Sequence, residues 1–300
     1  ALDRETGVPI WPIEERAVPA STVPGEQLSP MQPFPTRPAP YDLQGRSAEN
    51  LIDYTPEIYA QALQIAQDGN FFNSLFDPPR TIDDPLGPAW NCPGGGGGVN
   101  ITGPPVADPV QGVMFITSTG NCFRLQVEPG VTSPMDSPEQ SGKAHSDRVG
   151  VATTVPGGAR ATLDGQPNGL PIWKGPAGRI TAIDMNTGEH LWMIPNGDAS
   201  QQQQDAIRNH PLLQGVEGVE VNRGRGGHST MVASPTLLFA TGQTADGTWS
   251  LFAIDKETGE RVGTVDIPGS TRYGMSSWMH EGKQYIIIQL NDGLAAMALP

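Results

Sequence analysis

The stretch Gly178 to Trp192, GRITAIDMNTGEHLW, constrains this chain more than any other. Ile180, Thr181, Ala182 and Ile183 read as a strand, Asp184 to Gly188 as a tight turn, and the residues beyond as a second strand that carries Trp192. The turn contains the Asn and Gly that a left-handed backbone position requires. The same unit recurs as ALDRETG at residues 1–7, with Trp11 four residues past the Gly, and as AIDKETG at 253–259, where Gly263 stands in the place of the Trp. Three copies of A-[LI]-D-x-[EN]-T-G in one chain mark a repeat architecture. In each copy the Asp and Thr side chains can tie down the turn, and the Trp is a flat apolar wedge between neighbouring sheets. Sheets of four strands repeated radially make a β-propeller, so the expectation is an all-β chain with the Asp184 and Asp255 turns at equivalent positions on different sheets.

Composition agrees with strands, turns and long ordered loops. Gly 37 and Pro 30 exceed a fifth of the 300 residues and aromatics make up 6%, which excludes a long-helix protein. Lys+Arg 18 against Asp+Glu 32 gives a net charge of −14, a balance that repels phosphate backbones and anionic lipid heads and argues against nucleic-acid and membrane-surface partners. No apolar run reaches the length of a membrane span. No signal peptide is visible, and because Ala1-Leu2-Asp3 enters in the middle of a repeat, the chain reads as part of something longer. Cys92 and Cys122 permit one disulfide in an oxidising compartment or two buried thiols, and the residues themselves leave the two readings level.

Along the chain, residues 1–13 read as the completion of one blade. Residues 14–45 centre on SPMQPFPTRPAP, which cannot pair as a central strand and should lie extended over the surface. Ser47 to Phe76 is the one clear helical region: Thr55-Pro56-Glu57 supplies an N-cap, a first-turn Pro and an early acid, ahead of Ile58, Ala62, Ile65 and Ala66 at helical spacing, with Asp77-Pro78-Pro79 as a stop. The next repeat opens at the Gly run 94–98, has a strand at 113–118, makes a long excursion from about 128 to 169 and closes with 178–194. A loop containing Gln201 to Gln204 leads to strands near 229–233, 236–241, 249–255 and 261–267, and a last blade reads as 271–279, 284–290 and 292–299. The count is roughly three blades and an overhang, with one short helical insertion.

Few motifs carry chemistry. In the Gly run, Val99 sits where a third Gly of G-x-G-x-x-G would fall and no helix pattern follows, so a nucleotide site is disfavoured. Asp83 and Asp84 read as solvated acids. The five His, at 145, 190, 210, 228 and 280, show no pair at metal-ligand spacing, and no metal site is assigned. Arg223, Arg225 and His228 lie in a Gly-rich loop that reads as solvated. No nucleophile-elbow, P-loop or Cys-x-x-Cys sequence occurs.

The repeat resembles the tryptophan-docking motif of quinoprotein dehydrogenases, eight-bladed propellers that bind pyrroloquinoline quinone (PQQ). LDRETGVPIWPIEERAVPAS, SPMQPFPTRPAPYDLQG, GGVNITGPPVADP, GRITAIDMNTGEHLWMIPNGD and EGKQYIIIQL resemble the membrane glucose and quinate dehydrogenase branch, over the whole chain. The resemblance implies that residues 1–300 are the C-terminal part of a single propeller domain, with 14–95 a Pro-rich and helical insertion between blades. It implies PQQ as cofactor, with Asn100 and Thr117 at cofactor-binding positions. Ile101 replaces the Trp usual beside the Asn, and Thr117 stands for an Asn, so both matches are partial; a turn-capping Asn and a plain strand Thr are the alternatives. Arg223, Arg225 and His228 could then meet a PQQ carboxylate. The family's catalytic Asp, its quinone-contacting Lys and the ligands of its divalent cation, calcium or magnesium, would precede Ala1, so the catalytic residues of this chain stay unknown.

The reading that follows is a fragment of a PQQ-dependent dehydrogenase that oxidises a sugar, polyol or related alcohol and passes electrons to a quinone or other acceptor. The implied location is periplasmic, with membrane contact only through a missing N-terminal part, and it favours the Cys92–Cys122 bond. The fragment alone is expected to be inactive, with Trp11 and Trp192 short of neighbours. The alternative is a non-catalytic propeller scaffold or protein-binding module.

Overall fold

The computed structural model describes residues 1–93, 98–99, 104–129, 149–155, 161–166, 169–225 and 229–298. Along the chain, β1 (Ile13–Ala17) and β2 (Met31–Pro35) form an antiparallel ribbon. β3 (Gly45–Arg46) pairs with β4 (Asn73–Ser74), and helix α1 (Pro56–Asp68) lies between them. β5 (Arg80–Thr81) and β6 (Ala89–Asn91) precede β7 (Gly98–Val99), β8 (Val106–Asp108) and β9 (Val113–Thr119). Then come β10 (Phe123–Pro129) and β11 (Val149–Val155), β12 (Gly178–Asp184) and β13 (His190–Pro195), and helix α2 (Gln201–Arg208). The chain ends in β14 (Met231–Ala233), β15 (Leu237–Gln243), β16 (Trp249–Asp255), β17 (Arg261–Asp266), β18 (Thr271–His280), β19 (Lys283–Leu290) and β20 (Leu294–Ala298).

Three of the sheets are antiparallel blades, the last two of consecutive strands and the first with β10 and β11 set aside between β9 and β12. The first runs β13-β12-β9 and ends on β7 and β8, which share the far edge of β9; the second runs β14-β15-β16-β17, and the third β18-β19-β20. The first two superimpose in register. Asp184 pairs with Val113 and Asp255 with Leu237, and both sheets bulge after the motif alanine, so that Ala182 faces Trp192 and Ala253 faces Gly263. The two Asp turns therefore lie at equivalent places on different sheets, as the repeat implies.

All three turns use one chemistry. Asp3 and Asp255 each accept from the amides two and three residues on and from the Thr hydroxyl, while Asp184 accepts from the amide and the side chain of Asn186. The Gly at each end has φ of +73 to +75°, a left-handed conformation that other residues rarely adopt. These hydrogen bonds hold the three carboxyls below the usual carboxylate range.

Both faces of the second blade are buried, because successive side chains of a strand point to opposite sides. Leu238, Ala240, Phe252 and Ile254 meet Val113, Phe115, Ile180 and Ala182 of the first blade, while Phe239 and Leu251 meet Ile286, Ile288 and Ala295 of the third. Trp192 caps the first of these layers: its indole N–H donates to Lys256 O at 2.9 Å, and a Cβ on Gly259 would lie 2.9 Å from the ring. Trp192 is therefore well packed, contrary to expectation. Trp11 packs on the turn of the first blade, where a Cβ on Gly188 would lie 3.3 Å from it.

Some expectations change. Residues 1–13 complete no blade among the described residues; a single bridge, Leu2 to Pro9, joins the two arms of that hairpin. The Pro-rich segment does lie on the surface, yet Pro33 and Pro35 sit in the β1–β2 ribbon, where two strands leave room for prolines that cannot donate. Residues 37–43 run along the first blade: Arg37 donates to Thr187 O at 2.6 Å, His190 Nε2 lies 2.9 Å from Ala39 O, and Ser118 Oγ donates to Tyr41 O at 3.2 Å.

α1 begins at the anticipated Thr55, whose hydroxyl caps Ile58 N, but stops at Gly69, ahead of the prolines. α2 was expected to be loop. Ser200 and Gln203 form a capping box at its start, and Gln204 and Ile207 are its buried positions. Beyond β9, the described residues form a further sheet in which β10 pairs with β11, β5 and β6, and the Cys92–Cys122 disulfide, packed with Trp90, clasps the end of β6 to the start of β10 within it. Among the described residues no helix is long and apolar enough to cross a membrane.

Candidate functional site

Each blade has two ends. At the Asp-turn end, Lys256 is 2% exposed, and its ammonium contacts Asp108 of the first blade and donates to Ser234 O and Pro235 O, both at 2.9 Å. Its hydrogen bond, with those from the amides of Gln111 and Val110, holds the Asp108 carboxyl below the usual carboxylate range. This is a structural tie between blades.

The opposite end is polar where the strands are buried. Thr117, Ser118 and Thr119 close β9 at 1–3% exposure. The β9–β12 and β15–β16 registers make Thr117, paired with Ile180, the counterpart of Thr241, paired with Leu251. The two hydroxyls differ in their surroundings. Thr241 Oγ1 lies 3.1 Å from Thr230 Oγ1 and 2.7 Å from Thr271 Oγ1, accepts from Thr230 N at 3.1 Å, and so joins the second blade to the third. Thr117 Oγ1 has no hydrogen-bond partner among the described residues. A buried hydroxyl without a partner costs free energy, and one at a sheet end lined by other hydroxyls is a place where a polar ligand can bond.

Asn100, Ile101 and His228 lie outside the described residues. Arg225 Nη1 donates to Gln243 Oε1 at 2.7 Å, so its charge is engaged within the fold. Arg223 was expected in a solvated loop and is instead 7% exposed, its guanidinium donating to Trp173 O. The reason is long-range: the connection from β13 to β14 folds down against residues 173–177, with Ala177 N bonded to Arg223 O at 2.9 Å.

Two further arginines, Arg46 buried and Arg179 half-buried, were not singled out from the sequence. Arg46 sits with its guanidinium 4.3 Å from the centre of the Trp173 ring, and Arg179 of β12 donates to Pro176 O at 2.8 Å and lies 4.0 Å from Asp42. Burial lowers the Arg46 pKa to about 10 and pushes Arg179 and Arg223 down as well. A lone Arg in a polar segment gives no local sign of burial, so the sequence offered no signal for them. Asp83 and Asp84 behave as the surface acids expected, Asp84 capping Leu86 N at 2.9 Å. Among the described residues no group of three or more His, Cys, Asp or Glu could hold a metal ion.

Relatives of the chain match along its length. It is 27% identical over 336 residues to the glycerol dehydrogenase large subunit of Gluconobacter oxydans (strain 621H), covering 100% of this chain and 41% of the relative. It is 27% identical over 301 residues to a probable quinate dehydrogenase (quinone) of Xanthomonas campestris pv. juglandis, covering 96% and 35%. It is 24% identical over 317 residues to the quinoprotein glucose dehydrogenase of Escherichia coli (strain K12), covering 100% and 37%. The chain thus spans about two fifths of the length of these relatives. A family profile, PQQ, described as glucose/ethanol/alcohol dehydrogenase, beta-propeller domain, matches residues 1–286. With two blades built on the same Asp turn in the same register and a profile match over nearly its whole length, the chain belongs to the PQQ β-propeller family of glucose, ethanol and alcohol dehydrogenases.

Proposed function

We propose that residues 1–300 are the C-terminal part of a PQQ-dependent dehydrogenase that oxidises a sugar, polyol or related alcohol. The observation that supports this most is the family match over residues 1–286. PQQ, when bound, would supply a hydride acceptor for the carbinol carbon, and positioned groups of the protein would take the hydroxyl proton.

This chain's part is to hold and orient. Thr117 offers a buried hydroxyl without a hydrogen-bond partner among the described residues, which suits a carboxylate or carbonyl oxygen of a flat polar cofactor. Asn100 is proposed as its companion. The divalent cation of the family reading finds no cluster of suitable ligands among the described residues, and no step is derived through it. The base that takes the hydroxyl proton and the Lys beside the quinone are proposed to precede Ala1, so residues 1–300 alone would not turn over. A periplasmic location and a quinone as electron acceptor belong to the same proposal, and the described sheets would be one arc of a single propeller domain in which 14–95 is an insertion.

The test uses the full-length protein. PQQ is titrated in the presence of calcium or magnesium while absorbance and dye reduction are followed with glucose, quinate and glycerol in parallel. Saturable, PQQ-dependent dye reduction with at least one alcohol is expected, and its absence with a broad polyol panel would reject the reading.

A further inference from the structure

We infer that Arg46, Arg223 and Trp173 form a buried receptor for an oxyanion of the carboxylate or phosphate type, at the end of the first blade remote from the Asp turns. Three connections converge there: Arg46 comes from β3, Trp173 from the crossover before β12, and Arg223 from the connection between β13 and β14. Arg46 and Arg223 are 6% and 7% exposed and Trp173 5%. Arg46 Nη1, Arg223 Nη1 and Trp173 Nε1 have no hydrogen-bond partner among the described residues. The Arg46 guanidinium stacks 4.3 Å from the Trp173 ring centre, and Arg223 Nη2 donates to Trp173 O, so these donors surround one residue.

Neighbouring charge favours an anion. Arg179 adds a third guanidinium, also with an unpartnered nitrogen, Nε. The groups that act on these arginines are Asp42, 4.0 Å from Arg179, the Tyr54 hydroxyl, which hydrogen-bonds the Arg223 side chain, and Glu220, which acts on both Arg179 and Arg223. Three cations against two carboxylates leave one positive charge in a region where burial disfavours every charged form. A buried guanidinium with an idle N–H is costly, and its planar fork fits the coplanar oxygens of a carboxylate or the face of a phosphate. This inference does not depend on the dehydrogenase reading, since it concerns donors that are buried whatever the blade ring does.

The test is ligand binding followed by tryptophan fluorescence in the longest soluble form of the protein, at constant ionic strength with chloride as the reference. Malonate supplies the carboxylate arm and inorganic phosphate the other. We expect a saturable change with one or both anions. In Trp173→Phe, which keeps the aromatic packing while removing the indole donor and its emission, the anion-dependent rise of the thermal midpoint should be lost, and in Arg46→Gln the dissociation constant read by fluorescence should rise about tenfold or more, the effect of losing one hydrogen bond to a charged group. Thermal midpoints rising with the same anion dependence, and not rising in Arg46→Gln, would agree. A fluorescence response equal to that of chloride or unchanged in Arg46→Gln, or a thermal shift that persists unchanged in Trp173→Phe, overturns the proposal.

Discussion

The indole of Trp192 and the turn at Lys256 are one joint: Trp192 Nε1 donates to Lys256 O at 2.9 Å, and Gly259 of the same turn lies so close under the ring that an added Cβ would stand 2.9 Å from it. Trp192→Phe should keep most of the packing and lose the hydrogen bond, a cost of about 1 kcal/mol in denaturant unfolding. Gly259→Ala should cost more, because φ is +75° there and the methyl meets the indole; the left-handed conformation alone costs roughly 1–2 kcal/mol. Equal stability of Gly259→Ala and the wild type would show that the ring does not sit on this turn.

Lys256 closes a second link across the same joint through its buried ammonium and Asp108. Lys256→Met strands a carboxylate and should destabilise by about 3–5 kcal/mol, whereas Lys256→Met with Asp108→Leu should recover most of that loss. Hydrogen bonding depresses the Asp108 pKa in the folded state below its ordinary value of 3.8. The stability it confers is therefore complete above the unfolded pKa and disappears as pH falls through the lower, folded one. Acid titration of Asp108→Asn should show a shallower loss of stability below about pH 4 than the wild type.

What could be read from the sequence was local. The Asp-x-x-Thr-Gly turns, the strands of the last two blades and the start of α1 at Thr55 follow from side chains that act within four residues of themselves, and the structure has them where the pattern placed them. α2 was missed because its one-face apolar signal is little more than Ile207; the readable clue was the pairing of Ser200 with Gln203 three residues on. Residues 1–13 misled for the opposite reason, since a perfect turn motif says nothing of the strands it must join. The burial of Arg46 and Arg223 arises where segments far apart in the chain meet at Trp173, and no spacing encodes such a meeting. For Thr117 the sequence supplied a position by resemblance, and only the register against Thr241 showed what its hydroxyl lacks.

The Cys92–Cys122 bond closes a loop with a sequence separation of 30 and clasps the end of β6 to the start of β10. By the loop-entropy relation, reducing it should lower stability by about 3–4 kcal/mol. A thiol count under non-reducing, denaturing conditions should give zero, and Cys92→Ser with Cys122→Ser should unfold at lower denaturant. Two free thiols would remove the bond from the account.

Thr117 and Thr241 hold the same place on adjacent blades, and they should answer one substitution in opposite ways. Thr→Val keeps the shape and removes the hydroxyl. At Thr241 it breaks contacts with Thr230 and Thr271 and leaves buried partners unsatisfied, so Thr241→Val should cost about 1–3 kcal/mol. At Thr117 the hydroxyl makes no hydrogen bond to the described residues, so Thr117→Val should leave the protein without cofactor unchanged or slightly more stable. If that hydroxyl serves PQQ as proposed, the same variant in the full-length protein should bind PQQ more weakly, by about 2- to 13-fold, the equivalent of one hydrogen bond of 0.5–1.5 kcal/mol. Denaturant unfolding and PQQ titration of the two variants together decide the matter. A Thr117→Val protein that loses stability as Thr241→Val does, with PQQ affinity intact, would assign Thr117 to the fold and take it out of the site.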